Sequence, residues 1–361
     1  MQCNKCQNTA VYTRKYSGES LCSECFSNSI LRKAAKTISK YKMIKNDDLV
    51  CVGVSGGKDS LVLLDTLKKM SQSHNFKIIA VTIDEGIPGY RDEALDIVKE
   101  FCTRLDVEFK TYSYKDLFDL TLSESLELRE SEKTSSCSIC GTFRRRALDH
   151  AAKEIGANVI ATGHNLDDTL QTFLINTLSG DTSKIGWMDP ENQGKELRKI
   201  KPLSEIYESE IVFYAFTNNL PFQSEPCPHM NEGIRTEIRE FFNSLEEKHV
   251  GIKNNMHNSV LKISQIMNES SDKEKRILLI AHWDTRRYAD KDPDSSNHFK
   301  PVIGANDGAS GVAVLLTILE QLNKENLSNI GVDFLFADAE DMGLYGNPET
   351  WAIGSKLFSE N

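Results

Sequence analysis

A short apolar strand, a glycine turn and the start of a helix follow one another over residues 49–70. The segment 49–54 is rich in apolar and β-branched residues, as buried strands are. It runs into Ser-Gly-Gly-Lys-Asp-Ser at 55–60, and 61–70 then has the composition of a helix. This succession directs free backbone N–H groups toward an anion. The sequence therefore predicts a phosphate-binding loop within an α/β fold.

The loop differs from the two commonest phosphate-binding patterns. A P-loop would require glycine at Val52 and serine or threonine at Asp59, and the string is not Gly-x-Gly-x-x-Gly either. It instead resembles the PP-loop of ATP pyrophosphatases, which adenylate a substrate oxygen and release pyrophosphate. An ordinary glycine-rich turn is the alternative, which the length and the context of the match disfavour. The resemblance implies an ATP site formed by the whole string: Ser55, Gly56, Gly57, Lys58, Asp59 and Ser60.

Strands and helices alternate along the following hundred residues. Strands are predicted at 77–84, 107–113 and 158–162, and helices at 91–105 and 147–155. Such alternation is typical of a doubly wound parallel sheet, whose ligands lie at the carboxyl ends of the strands. Further candidates for the ATP site follow these strand ends: Asp84, Gly163, His164 and Asp168.

Four of the nine cysteines form two Cys-x-x-Cys pairs near the N-terminus. Their spacing supplies four thiolates for a tetrahedral, closed Zn²⁺ site, which predicts a structural zinc ribbon over residues 1–30. A segment this short has little core of its own, so the metal would supply much of its folding energy. The predicted ligands are Cys3, Cys6, Cys22 and Cys25.

A second group of cysteines has a different spacing. Cys137 and Cys140 form a third Cys-x-x-Cys, and Cys227 follows much later within Glu-Pro-Cys-Pro. The pair alone could be half a zinc site or a redox pair. With Cys227 as a third thiolate, the set would leave one coordination position open, which suits an iron–sulfur cluster that handles an exogenous sulfur atom. Cys51 and Cys102 lie in apolar surroundings and are predicted to be core thiols.

Composition and charge indicate a protein of two or three domains. The chain has 361 residues, 39% apolar and 27% charged, and a net charge of −10. Residues 1–266 carry −3 of that charge and contain basic clusters at 32–45, 144–146 and 195–201, which are either phosphate-binding patches or solvated faces. No run is long enough to span a membrane, and no apolar signal core is present, so a cytoplasmic location is expected.

Taken in order, the motifs resemble one family over residues 1 to about 266. The paired Cys-x-x-Cys, SGGKDS, CSICG followed by RRR, GHNLDD, and EPCPH before GIRTEIREFFNSLEEKHVG look like the TtuA-like tRNA 2-thiouridine synthetases. The resemblance implies that ATP adenylates the C2 oxygen of a tRNA uridine and that sulfide or a persulfide then displaces AMP. It also implies a ubiquitin-like sulfur carrier protein as donor, and a possible homodimer.

The same resemblance assigns roles to individual residues. Cys137, Cys140 and Cys227 would hold a 4Fe-4S cluster, or in the alternative mechanism Cys137 or Cys227 would carry a persulfide. Lys58 would stabilise the leaving pyrophosphate, and Asp59 would orient Mg²⁺. Two further residues, His164 and Asp168, are candidates for shaping the site or handling protons.

The C-terminal part resembles a different family, the di-zinc aminopeptidases and glutaminyl cyclases. The resemblance implies metal ligands at His282, Asp307 and Asp341, with Glu340 as general base. The later ligands of that family would lie beyond Asn361, so we expect a truncated fragment without hydrolase activity. The domains are therefore predicted as a ribbon (1–30), a PP-loop domain (31–250), a linker (251–272) and a partial α/β zinc-peptidase-like fragment (273–361). A genuine fusion and an erroneous join of two reading frames both fit this pattern.

Three other functions fit parts of the sequence. A tRNA 2-thiocytidine synthetase or a wobble-uridine thiolase would share the PP-loop, although the N-terminal cysteine pairs argue against the cytidine enzyme. A zinc-dependent aminopeptidase or glutaminyl cyclase would use the C-terminal region. A tRNA-binding protein with an inactive ATP site would need no chemistry at all.

Overall fold

The computed structural model describes residues 1–129, 135–181, 183–190, 197–225, 227–229, 234–271, 275–282, 293–298, 300, 308–322 and 330–337. The chain divides into two compact units. The first comprises Met1–Thr172 with Pro190–Asn258, and the second comprises Phe173–Asp189 with Ser259–Asn361. None of the described helices is long and apolar enough to cross a membrane.

The N-terminal segment is a small cysteine-bearing hairpin that runs into a helix. Strands β1 (Tyr12–Arg14) and β2 (Glu19–Leu21) pair antiparallel, and helix α1 (Ser23–Lys40) follows. The helix begins at Ser23 because the Cys22 thiol accepts a hydrogen bond from the N–H of Cys25 and so caps the first turn.

A five-stranded, all-parallel sheet forms the centre of the first unit and confirms the predicted fold class. Its order is β5-β4-β3-β6-β7. The chain builds one half outward from β3 and then returns to build the other half from β6, so the connections diverge between these two strands. A crevice opens at the carboxyl ends of strands at such a point. The strands are β3 (Asp48–Gly53), β4 (Phe76–Asp84), β5 (Phe109–Ser113), β6 (Val159–Ala161) and β7 (Arg198–Ile200).

Helices cover this sheet. Helix α2 follows the phosphate loop and is buried along most of its length, from Ser60 to Leu67. Helix α6 was predicted only over 147–155 but begins at Ser136, so it carries both Cys137 and Cys140. The helices of the first unit in this region are α2 (Lys58–Ser71), α3 (Arg91–Leu105), α4 (Tyr114–Phe118), α5 (Leu122–Glu127), α6 (Ser136–Glu154), α9 (Glu208–Thr217) and α10 (Arg235–Lys248). Helix α7 (Leu166–Leu178) begins in the first unit and ends in the second, and α8 (Ser183–Gly186) belongs to the second.

A buried carboxylate ties the N-terminal segment to α9. Glu210 is fully buried, and its Oε1 accepts hydrogen bonds from Arg14 Nε at 2.5 Å and from the Tyr16 hydroxyl at 3.0 Å. Lys33 Nζ lies 2.8 Å from its other oxygen. A buried charge is tolerated when it is paired in this way, so the hairpin and α1 are integral parts of the first unit.

Within the predicted linker at 251–272, residues Ile252–Ser271 form helix α11. Buried apolar residues at Val260, Leu261 and Ile266 stabilise the helix. Its first turn is anchored in the first unit, where the buried Lys253 ammonium donates to Asp167 Oδ1.

The described part of the second unit contains a parallel strand–helix–strand arrangement. Strands β8 (Lys275–His282) and β9 (Ile330–Ala337) pair along their whole length, with helix α12 (Gly308–Leu322) between them in sequence. Leu315 and Leu319 pack against Val332, Phe334 and Ile266 in a small core. A 3₁₀ turn lies at Ser295–Asn297. This arrangement agrees with the predicted partial α/β fragment.

Candidate active site

The phosphate loop is held in shape by its own serines and glycines. The Ser55 N–H donates to Ser60 Oγ at 3.1 Å, and Ser60 Oγ donates to the Gly57 carbonyl at 2.8 Å. Gly56 adopts φ +87°, and a Cβ there would lie 2.9 Å from the Cβ of Ala94. Gly57 caps α2 without any side-chain hydrogen bond, so the first-turn N–H groups remain available for an anion.

A second loop, which follows β6, lies against the start of α2. The backbones meet so closely that a Cβ on Gly163 would be 2.8 Å from the carbonyl carbon of Asp59 and 2.9 Å from the N of Ser60. Asn165 Nδ2 donates to Asp59 Oδ1 at 2.9 Å, and the Asn165 N–H donates to Asp168 Oδ2 at 3.0 Å. The two predicted motifs therefore form one site.

A cavity of about 240 Å³ opens between the two loops at the carboxyl ends of β3 and β6. Six of the predicted ATP-site residues line it: Ser55, Asp59, Ser60, Gly163, His164 and Asp168. Four others lie beside the cavity lining rather than in it: Gly56, Gly57, Lys58 and Asp84. The Asp84 carboxylate accepts the Gly86 N–H at 2.9 Å and thereby shapes the turn after β4.

Lys58 is held by two carboxylates. Its Nζ lies 3.0 Å from Asp59 Oδ2 and 2.8 Å from Glu208 Oε1. Burial lowers the pKa of Lys58, but the two negative charges outweigh burial and raise the pKa overall. The side chain is therefore an ammonium ion throughout the physiological range.

Two titratable groups on the second loop have shifted pKa values. The His164 side chain is exposed at the protein surface. The protein atoms packed around it nevertheless remove much of its hydration, and this loss, followed by the positive charges of Lys201, Arg235, Arg144 and others, lowers the pKa of His164 to about 3. Burial, together with the negative charges of neighbouring carboxylates, raises the pKa of Asp168 to about 6. At neutral pH the imidazole is uncharged, and the carboxyl group is close to its titration range.

Three charged residues that line the cavity were not predicted as site residues. Glu85 is 2% exposed and lies next to two arginines, Arg91 and Arg144. The sequence offered one partial signal, since Glu85 directly follows a predicted strand. Arg144 was interpreted only as part of the RRR that follows CSICG, in a basic cluster that is either a phosphate-binding patch or a solvated face.

The second group of cysteines gathers next to this cavity. Cys137 is exposed and its Sγ lies 3.7 Å from the carbonyl of His229, two residues after Cys227. Cys140 is buried in a core cluster against which Cys227 packs. Arg144, which lines the cavity, places Nη2 3.4 Å from Cys140 Sγ. The segment that carries Cys227 thus lies against the start of α6, which carries Cys137 and Cys140.

The thiols of the N-terminal segment form a tighter group. The sulfur atoms of Cys3, Cys6, Cys22 and Cys25 all lie within 4.8 Å of one another. Burial raises the pKa of Cys3, but backbone N–H donors outweigh it and bring the pKa to about 6. Such N–H···S bonds stabilise a thiolate, the form in which cysteine binds a metal.

The candidate residues of the C-terminal part are described only in part. His282 is the last residue of β8 and is paired in register with Ala337. Asp307, Glu340 and Asp341 lie outside the described residues.

Profiles of three known families match successive parts of the chain. The profile of the PP-loop domain family matches residues 27–245, and that of the N-terminal LIM domain of the 2-thiouridine synthetase TtuA matches residues 2–27. The profile of peptidase family M28 matches residues 263–356.

Individual relatives are similar over about two thirds to three quarters of the chain. The chain is 39% identical over 254 residues to a probable sulfurtransferase of Methanocaldococcus jannaschii, covering 69% of this chain and 74% of the relative. It is 36% identical over 249 residues to cytoplasmic tRNA 2-thiolation protein 1 of Drosophila sechellia, covering 68% and 72%. Among solved structures it resembles the U34-tRNA thiolase NcsA from Methanococcus maripaludis with its 4Fe-4S cluster, with a TM-score of 0.66 and 33% identity over 74% of this chain and 87% of that one.

Proposed function

The chain belongs to the PP-loop family of tRNA 2-thiolation proteins, and we propose that it replaces the C2 oxygen of the wobble uridine of tRNA with sulfur. The reaction consumes ATP and releases AMP and pyrophosphate. The sequence favoured a TtuA-like uridine thiolase and kept a wobble-uridine thiolase as the alternative. We prefer the wobble position because the solved relative named above is a thiolase of uridine 34.

One observation carries this proposal. Arg144 lines the cavity of the phosphate loop and contacts Cys140, which lies on the same helix, α6. Adenylation takes place on the oxygen of uridine C2 and sulfur then attacks C2 itself, so an enzyme of this kind needs its nucleotide site and its sulfur-handling thiols within reach of one substrate base. A nucleotide-binding protein without sulfur chemistry has no need of this arrangement.

The first half-reaction depends on the two loops. The α2 N-terminus and the Lys58 ammonium neutralise the phosphates of ATP and stabilise the charge that develops on the leaving pyrophosphate. Attack by the uridine C2 oxygen on the α-phosphorus requires loss of the N3 proton. Asp168 is our candidate to accept that proton, because a base is most effective when its pKa is close to the working pH. His164, uncharged at neutral pH, shapes the wall beside it.

The second half-reaction depends on the cysteines. Cys137, Cys140 and Cys227 fit a 4Fe-4S cluster, since one thiol is open to solvent while the others are sheltered and the set leaves one iron without a protein ligand. When bound, such a cluster offers an open coordination position to an exogenous sulfur atom. The protein orients the base so that sulfur attacks C2 and AMP leaves. In the alternative, Cys137 or Cys227 carries a persulfide.

Other components are part of the same proposal. We propose that Zn²⁺ is held by the four N-terminal thiols and that Mg²⁺ is oriented by Asp59. A ubiquitin-like carrier protein is proposed as the sulfur donor, a homodimer as the assembly and the cytoplasm as the location. The carrier and the dimer follow from the family resemblance, and the location agrees with the name of the Drosophila relative.

Two variants separate the two half-reactions in anaerobically reconstituted protein supplied with tRNA, ATP and sulfide. Lys58→Met should abolish both AMP release and 2-thiouridine. Cys137→Ser should abolish 2-thiouridine while tRNA-dependent AMP release continues. Cys102→Ser, which changes a buried thiol of α3 away from the cavity lining, is the matched control for the cysteine variant. A protein that binds tRNA but releases no AMP would refute the proposal in favour of a binding protein.

A further inference from the structure

A buried carboxylate connects the two halves of the proposed site. Glu85, the first residue after β4, has Oε2 2.9 Å from Arg91 Nε and Oε1 2.8 Å from Arg144 Nη2. Both oxygens are used, and the side chain is 3% exposed. One carboxylate therefore holds two guanidinium groups that come from different helices.

The Arg91 side of this connection ends on the phosphate loop. Arg91 Nη1 donates to the Ser55 carbonyl at 2.6 Å, and Nη2 donates to Thr82 Oγ1 at 2.7 Å. Arg91 itself is 4% exposed, so its orientation is fixed by these contacts. Glu85 thereby helps to set the position of the first residue of the loop.

The other arginine paired with Glu85, Arg144, contacts a cysteine of α6. Arg144 lies one turn after Cys140, and its Nη2 is 3.4 Å from the Cys140 thiol. Its side chain is 47% exposed, so the contact with Glu85 is what keeps the guanidinium from rotating into solvent. Tyr114, whose hydroxyl donates to the Cys140 carbonyl at 2.8 Å, holds the backbone of the same turn.

We propose that Glu85 is a positioning residue that fixes the phosphate loop and the Cys140 turn in one relative arrangement, so that sulfur meets the adenylated base before water does. The proposal rests on the proposed function. Buried ion pairs contribute little net stability, because apolar residues of similar volume often stabilise a protein as much or more. Both guanidiniums held by Glu85 end on groups of the site, which a purely stabilising pair would not require.

The test uses Glu85→Gln, which keeps the shape of the side chain and removes its charge. In cluster-free protein we expect faster amide hydrogen exchange both at 55–60 and at 137–144. We also expect an ATP affinity weaker by about tenfold, because the ion pair that positions Arg91 against the phosphate loop is lost. In reconstituted protein the AMP released per 2-thiouridine should rise at least about fivefold, because the adenylate hydrolyses before sulfur reaches it. Glu154→Gln, an exposed carboxylate on α6, is the matched control and should change none of these values.

A second variant distinguishes a loss of positioning from a failure to fold. Glu85→Asp keeps the charge but is one methylene too short to reach both arginines, so it should fold and show the same changes to a smaller extent. Unchanged hydrogen exchange at either segment, or AMP and 2-thiouridine falling together at a constant ratio, would overturn the proposal. If wild type itself makes no 2-thiouridine, the proposed function fails, while hydrogen exchange and ATP affinity still decide the role of Glu85.

Discussion

A substitution at Gly163, which lies outside the phosphate loop, should displace that loop by steric overlap. In Gly163→Ala the new Cβ would lie 2.8 Å from the carbonyl carbon of Asp59, 2.9 Å from its oxygen and 2.9 Å from the N of Ser60. These are backbone atoms, so no side-chain rotation relieves the overlap. The loop after β6 and the first turn of α2 must separate by about 0.5 Å to restore ordinary van der Waals distances.

The expected losses of stability and of activity follow from this displacement. Overpacking of this kind costs about 2 kcal/mol, which lowers the Tm of a unit of this size by about 6 °C. The displaced atoms include the N–H groups that would hold the phosphates, so kcat/KM for ATP should fall by about tenfold, since even a 1 Å misplacement can cost far more. Differential scanning fluorimetry with and without ATP measures the first effect, and AMP release measures the second.

Gly141→Ala is the matched control. Gly141 lies inside helix α6, where the nearest atom to a new Cβ is the flexible end of Arg145 at 3.4 Å. Alanine should stabilise the helix by about 0.5–1 kcal/mol, so Tm should rise. The steric reasoning fails if Gly163→Ala keeps the wild-type Tm or raises it as the control does.

Four further predictions test other parts of the structure. Purified protein should contain about one zinc ion per chain, and Cys6→Ser should lose it and unfold the N-terminal segment, as metal analysis and limited proteolysis would show. Lys253→Met should lower the free energy of unfolding by about 3–5 kcal/mol, because it leaves the buried Asp167 carboxylate without its ion-pair partner. Lys262→Met, on the exposed face of the same helix, should change the free energy of unfolding by less than about 0.5 kcal/mol. Equal effects of the two variants would contradict a stabilising role for the Lys253–Asp167 pair. The folded-state pKa of Asp168 is raised, so wild type should lose stability as pH rises from about 4 to about 6, and Asp168→Asn should remove that loss from a plot of Tm against pH. His282→Ala should leave tRNA thiolation unchanged, and a reduced rate would mean that the C-terminal region takes part.

The central elements of the fold could be predicted because their signals are local. The strand before the phosphate loop, the helix Arg91–Leu105 and the strand ends bearing Asp84 and His164 follow from apolar patterning and turn residues. Strand Arg198–Ile200 could not be predicted in this way. It has three residues, two of them basic, and exists because it pairs with β6.

The site was predicted less completely, because several of its features depend on contacts between residues distant in sequence. The start of α6 is polar and contains a glycine, so its helical form over Cys137 and Cys140 is set by the Ser135 cap and by packing. Nothing near Glu85 or Arg144 in the sequence indicates that they pair. The helix Ile252–Ser271 was missed for the opposite reason, since its polar end was given more weight than its apolar spacing.

The most direct test of the proposed function is the nucleoside composition of tRNA after reaction with reconstituted protein, ATP and sulfide. Two transcripts should be compared by mass spectrometry of their digests, one with uridine at the wobble position and one with cytidine there. We expect 2-thiouridine only in the first transcript, at the wobble position and in an amount equal to the AMP released. Thiolation at another position, thiolation of cytidine, or AMP release with no thionucleoside would contradict the account.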